Sequence, residues 1–270
     1  MQTLGNTGPR RSTGPWIFRL IYIILIIVGL SYMISLRNES ARLDAQIEKT
    51  SKTPTVVGKT QIGDTTIVIP TKDFFAAGQM WSLASRKHPL MDTFAVSDLT
   101  NVPVATGGDE KLQISKKIVK PLEALFDAAE SAGHELMVSS AYRSIHDQQA
   151  TYDSYVKKYG ETMAKEYVLP PGTSEHHTGL AIDLSDASEP CQEASDDCSL
   201  GMDSAVWLKE NAPRYGFVLR YPDGKKDITG VKYEWWHFRY VGVPLAKAVA
   251  NSDLTLDEAI EKMETTSARE

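Results

Sequence analysis

Ser174-Glu175-His176-His177-Thr178-Gly179-Leu180-Ala181-Ile182-Asp183 sets two adjacent histidines and an aspartate in one short segment. The apolar run from Leu180 to Leu184 predicts a strand, so the segment reads as a turn feeding a strand that carries a carboxylate. A second stretch, Glu234-Trp235-Trp236-His237, lies in the strand expected over 231–240 and adds another imidazole and another carboxylate. Two imidazoles and one carboxylate can hold a divalent metal, with one carboxylate left over. A catalytic zinc site needs that inventory: three protein ligands, an open position for water, and a base for the water's proton.

Spacing alone leaves the first histidine ligand open. Neighbours on an extended chain point to opposite faces, so only one of His176 and His177 can face the metal. His177 has the better parity with Asp183; His176 needs a turn near Gly179 to reset the phase. The three-residue offset from Glu234 to His237 also breaks strand parity and predicts a bulge or a strand end. Arg143 follows a strand expected at 135–139, where a loop can aim it into a cleft to bind a carboxylate or an oxyanion. Ser174 and Gln148 are candidate hydrogen-bonding residues for substrate, and Trp235 and Trp236 are candidates to wall the site.

Outward from these stretches, apolar residues from Ile114 to Ala129 recur at three- and four-residue spacing and predict a helix over 113–132. Pro121 is expected to kink it or mark its true start. A polar helix is expected from Ile145 to about Tyr167, and further helices over 204–211, 245–249 and 254–263, the last capped by Ser252 or Asp253. Short strands are expected over 65–69 and 217–221. Segregated pieces of this kind predict an α+β fold with a small antiparallel sheet carrying the site, flanked by helices.

The N-terminal part has a different character. Residues 1–15 are polar, and from Trp16 to Leu36 only Arg19 is charged. At 1.5 Å per residue this run spans about 30 Å of hydrocarbon, enough for a single transmembrane helix. Its length and the absence of a clear cleavage site predict an uncleaved anchor. Arg10, Arg11 and Arg19 put residues 1–15 in the cytoplasm and the bulk of the chain outside. Residues 37–71 read as a stalk or linker, 72–250 as the zinc domain, and 251–270 as a C-terminal helix and tail. The net charge is -6, with no basic cluster in the domain, which argues against nucleic acid as a partner. The two cysteines, Cys191 and Cys198, share one acidic loop over 189–200; outside the membrane they are expected to form a disulfide.

Three motifs carry a resemblance. Ser139-Ser140-Ala141-Tyr142-Arg143-Ser144 with Gln148, then Ser174-x-His176-x-x-Gly179-x-Ala181-x-Asp183, then Glu234-Trp235-Trp236-His237-Phe238-Arg239-Tyr240-Val241-Gly242 resemble the VanY-type D-alanyl-D-alanine carboxypeptidases. These belong to a wider group of zinc peptidases that includes lysostaphin-like enzymes and the hedgehog signalling domain. The resemblance implies that His176, Asp183 and His237 bind one Zn2+ and that Glu234 is the catalytic base. It makes Arg143 a substrate and transition-state contact, and Ser174 and Gln148 substrate contacts. A free substrate carboxylate calls for a cation, which Arg143 or Arg239 can supply. The implied activity is removal of the C-terminal D-alanine from peptidoglycan stem peptides, by D,D- or L,D-cleavage. Its rivals are a peptidoglycan endopeptidase of the same zinc fold and a non-catalytic zinc-bearing wall-binding module, which would not need Glu234. No protein partner is implied.

Overall fold

The structure is a computed structural model that describes residues 58–70, 72–107, 111–187 and 200–268. The predicted anchor, the tail before it, most of the stalk, and the loop with Cys191 and Cys198 lie outside the described residues. Among the described residues no helix is long and apolar enough to cross a membrane.

The first elements are two strands, β1 (Gly58–Ile62) and β2 (Thr65–Ile69), paired as an antiparallel hairpin. Their inward residues Ile62, Ile67 and Ile69 are buried. They pack with residues of α5 (Val243–Ala250) and α6 (Leu256–Ser267), including Leu245, Ile260 and Met263. Among the described residues the packed core therefore includes the hairpin over 58–69, ahead of Lys72, and the C-terminal helix shares it. The β-branched run Thr65-Thr66-Ile67-Val68-Ile69, closed by Pro70, marked β2 as a strand, but nothing local says what covers its apolar face.

Next come β3 (Leu99–Asn101) and β4 (Gln113–Ser115), a second antiparallel pair. A 3-10 turn over Lys116–Ile118 leads into α1 (Val119–Ser131). The helix expected over 113–132 thus starts at Val119, with Pro121 in its first turn, where a missing N–H costs nothing. Ile114 fits the helical spacing but sits on a strand, because an apolar residue counts towards either period when the run is short.

The central sheet is antiparallel throughout, in the order β5 (Leu136–Ser140), β6 (Ala181–Asp186), β8 (Glu234–Tyr240), β7 (Phe217–Tyr221). Its last strand begins at Glu234, three residues later than expected. Leu122, Leu125 and Ala129 of α1 and Leu208 of α4 (Met202–Asn211) bury against Val138, Ile182, Leu184 and Phe238 of the sheet. The polar helix after Arg143 is two helices, α2 (Ile145–Tyr159) and α3 (Glu161–Tyr167), broken at Gly160, where φ is 85°. The cap of α6 is Thr255, in a reciprocal capping box with Glu258, rather than Ser252 or Asp253.

Candidate active site

The adjacency of β6 and β8 sets the site: Asp183 and His237 are direct cross-strand partners. Asp183 Oδ1 lies 2.8 Å from His237 Nδ1, and Asp183 Oδ2 lies 3.2 Å from His176 Nε2. All three residues are buried, and one ligand atom from each lies within 4.8 Å of the others. His176 arrives from a 3-10 turn over Glu175–Thr178, closed by Gly179 at φ 67°. That left-handed residue resets the phase between His176 and Asp183, as the sequence required. The side chain of Ser174 caps the turn, accepting from the His176 N–H at 3.4 Å.

Hydrogen bonds separate the two adjacent histidines. His177 donates Nδ1–H to the Arg143 carbonyl at 2.7 Å, and its Nε2 accepts the Gly172 N–H at 3.1 Å. Both of its nitrogens are occupied, and burial pushes its pKa down, so it stays neutral. His176 donates Nδ1–H to the Ala141 carbonyl at 2.7 Å. Its Nε2 then presents a lone pair to the carboxylate oxygen of Asp183. Two acceptors face each other, and a cation between them turns repulsion into attraction. Two buried imidazoles and one carboxylate, with His176 oriented by the Ala141 carbonyl and His237 Nε2 left without a partner, fit zinc. Burial alone would raise the Asp183 carboxyl; in the metal-free protein, protonated His176 and His237 would hold it far below the usual carboxylate range.

Glu234 is the first residue of β8. Its Oε2 lies 3.9 Å from His237 Nδ1. Between Leu219 and Tyr221 the β7–β8 register shifts, pairing Tyr221 with Glu234 and Leu219 with Phe238. This irregularity accommodates the three-residue offset between Glu234 and His237. Burial, followed by the charge of Asp183, pushes the Glu234 carboxyl up to about 8. Tyr221, which the sequence marked only as the end of a strand, packs its ring 4.9 Å from that of His237. Trp235 and Trp236 stack edge to face, half-buried, and Trp235 donates its indole N–H to the Leu200 carbonyl.

Arg143 is clamped to the metal-site turn through its backbone: its N–H donates to His176 O, and its carbonyl accepts from His177. Its guanidinium donates to Gln148 Oε1 at 3.0 Å and to Ser140 Oγ at 3.1 Å. Ser140 is the cross-strand partner of Asp183, next to a register shift in β5, so the guanidinium is tethered beside the triad. Gln148 is buried, and its amide also donates to the Leu169 carbonyl. It holds Arg143 in place rather than offering itself to substrate. Arg239 is fully buried, beside Glu175 and bonded to backbone carbonyls, so it is no carboxylate receptor.

Comparison with known proteins agrees with this geometry. Residues 111–243 match the VanY family of D-alanyl-D-alanine carboxypeptidases. A putative carboxypeptidase of Bacillus subtilis (strain 168), YodJ, is 41% identical over 187 residues, which are 67% of this chain and 67% of that protein. Among solved structures, the LD-carboxypeptidase LdcB shares 39% identity at a TM-score of 0.62, covering 68% of this chain and 87% of its own. A variant of the vancomycin-resistance D,D-pentapeptidase VanY, in complex with Zn(II), shares 34% identity at a TM-score of 0.57, covering 66% and 97%. The family match spans every residue of the buried histidine–aspartate–histidine set, and the chain belongs to the VanY family of zinc-dependent D-alanyl-D-alanine carboxypeptidases.

Proposed function

We propose that this protein is a membrane-anchored zinc carboxypeptidase that removes the C-terminal D-alanine from peptidoglycan stem peptides. The observation that carries the reading is the buried His176–Asp183–His237 set with a second, partly buried carboxylate, Glu234, beside it. Bound zinc supplies Lewis acidity and brings the ionisation of water into the neutral range. Burial raises the Glu234 carboxyl above its ordinary value, which makes its ionised form a stronger general base beside the metal set. It takes the proton of the attacking water while the oxygen–carbon bond forms. It then delivers that proton to the departing amine as the carbon–nitrogen bond breaks. The Arg143 guanidinium, fixed by Gln148 and Ser140, presents positive charge to the substrate's terminal carboxylate and to the oxyanion at the attacked carbonyl. Ser174 shapes this step by holding the turn that aims His176.

The apolar run over 16–36 and the arginines that precede it support an anchor with its N-terminus in the cytoplasm and the catalytic domain outside. Such an anchor keeps the enzyme next to an insoluble substrate. Protease treatment of intact cells should degrade the domain and spare residues 1–15; protection of the domain would overturn the orientation.

The activity is tested by mass spectrometry of synthetic tetrapeptide and pentapeptide stems incubated with the zinc-loaded full chain. Loss of one D-alanine, stopped by chelator and restored by zinc, supports the reading. The pentapeptide reports D,D-cleavage and the tetrapeptide L,D-cleavage. Loss from neither would overturn the proposal.

A further inference from the structure

Four charged side chains lie buried behind the metal set. Glu175, Arg220 and Arg239 have no exposed surface, and Asp257 is 5% exposed. Arg220 Nε donates to Glu175 Oε1 at 2.8 Å, and its two terminal nitrogens grip both oxygens of Asp257, at 2.5 and 3.1 Å. Arg239 Nη1 lies 3.0 Å from the same Glu175 oxygen, while its Nη2 donates to the carbonyls of Met80 and Ser82. Burial alone would raise the Glu175 carboxyl, but the two guanidinium charges hold it below its ordinary value. Two cations and two anions therefore balance.

Such a network is an expensive way to fill a core. Desolvating four charges is costly, and apolar side chains of similar size often give equal or greater stability. Its connections suggest another role. Glu175 immediately precedes His176 in the 3-10 turn. Arg239 follows His237 by two residues on β8. Arg220 adjoins Tyr221, whose ring packs against His237. The fourth member, Asp257, sits in the first turn of α6, beyond the residues 111–243 that match the family.

We propose that Asp257 is a positioning residue for the metal site: through Arg220 and Glu175 it fixes the turn that aims His176, so that α6 completes the support of the zinc ligands. Without Asp257, Arg220 loses two of its three bonds to carboxylates and is held to Glu175 through Nε alone. With its terminal nitrogens unpaired, Arg220 no longer fixes Glu175 firmly, and Arg239 remains as the other cation beside that carboxylate. A loosened partner behind a metal ligand typically weakens metal binding by about 10- to 100-fold.

The inference rests on the zinc reading of the site, and the wild-type control tests that reading separately. The detergent-solubilised full chain is stripped of metal. Zinc affinity is then measured by competition with a chromophoric chelator, alongside the visible spectrum of the cobalt(II)-substituted protein and the thermal midpoint. Asp257→Asn should weaken zinc at least about 10-fold and alter the cobalt spectrum. The double variant Arg220→Met/Asp257→Leu should recover or exceed the wild-type thermal midpoint while keeping the weakened zinc affinity. Thr255→Ala, which breaks the capping box of α6 without touching the network, should lower the midpoint and leave zinc affinity and spectrum unchanged.

Wild-type zinc affinity in Asp257→Asn or in the double variant would overturn the proposal. So would a Thr255→Ala loss as large as that of Asp257→Asn, or a double variant too unstable to purify, which would make the network a requirement of the fold alone. Failure of the wild-type chain itself to take up zinc would overturn the zinc reading, and this inference with it.

Discussion

His176 and His177 each donate Nδ1–H to a backbone carbonyl, of Ala141 and Arg143 respectively. Their other nitrogens differ: one faces Asp183, the other accepts the Gly172 N–H. His176→Ala should therefore abolish zinc binding. His177→Ala should retain it, while leaving the Gly172 N–H and the Arg143 carbonyl without partners and costing about 1–3 kcal/mol of stability. Zinc titration and thermal unfolding of the two variants check this. Glu234 gives a second prediction. Its folded carboxyl ionises near 8, above its ordinary 4.5, so in metal-free protein its contribution to stability is full below about 4.5 and is lost as pH rises through 8. Glu234→Gln lacks that loss. Its stability relative to wild type should grow across this window, by at most about 4–5 kcal/mol, in metal-free denaturant titrations. The sequence identified the ionisable groups but not their partners. Parity favoured His177, because strand periodicity knows nothing of a 3-10 turn closed by a left-handed glycine. Gln148 was recognisable as important, but its position behind Arg143 depends on the Leu169 carbonyl, twenty-one residues away in the chain.

The elements were legible where a period ran unopposed. The strand over 217–221 and the helix at 204–211 lie where the pattern put them, the latter beginning two residues earlier. Boundaries shifted where one residue overrode the pattern, as Gly160 did between α2 and α3. Gly179 matters most at this scale. A Cβ there would meet the Ser115 backbone nitrogen at 3.1 Å, in a φ that side chains rarely adopt. Gly179→Ala should cost about 1–2 kcal/mol and disturb the turn carrying His176, lowering the thermal midpoint and zinc affinity together. The β1–β2 hairpin offers a contrasting case, far from the metal set in sequence. Ile62→Ala removes a fully buried side chain from the core it shares with α5 and α6, and should cost about 2–5 kcal/mol. A flexible stalk at this position would predict no measurable change on thermal unfolding.

At the scale of the whole molecule, the three motifs in order made the family and its zinc chemistry readable before any geometry. What they left out was the way the β1–β2 hairpin and α6 close around the site's support. The hairpin and α6 share one core, and Asp257 extends that core to the turn behind His176. Long-range packing of this kind has no local signature, because each element alone shows only an apolar face seeking cover. The central claim is that Glu234 acts as base beside a zinc-bearing His176–Asp183–His237 set to release D-alanine. Its most direct test is the rate of D-alanine release from a pentapeptide stem by wild-type and Glu234→Gln protein at matched zinc occupancy. The account predicts one D-alanine per peptide from the wild type, and a rate about 10²- to 10⁴-fold lower from the variant with zinc still bound. Equal rates in the two proteins, or no D-alanine from the zinc-loaded wild type, would contradict it.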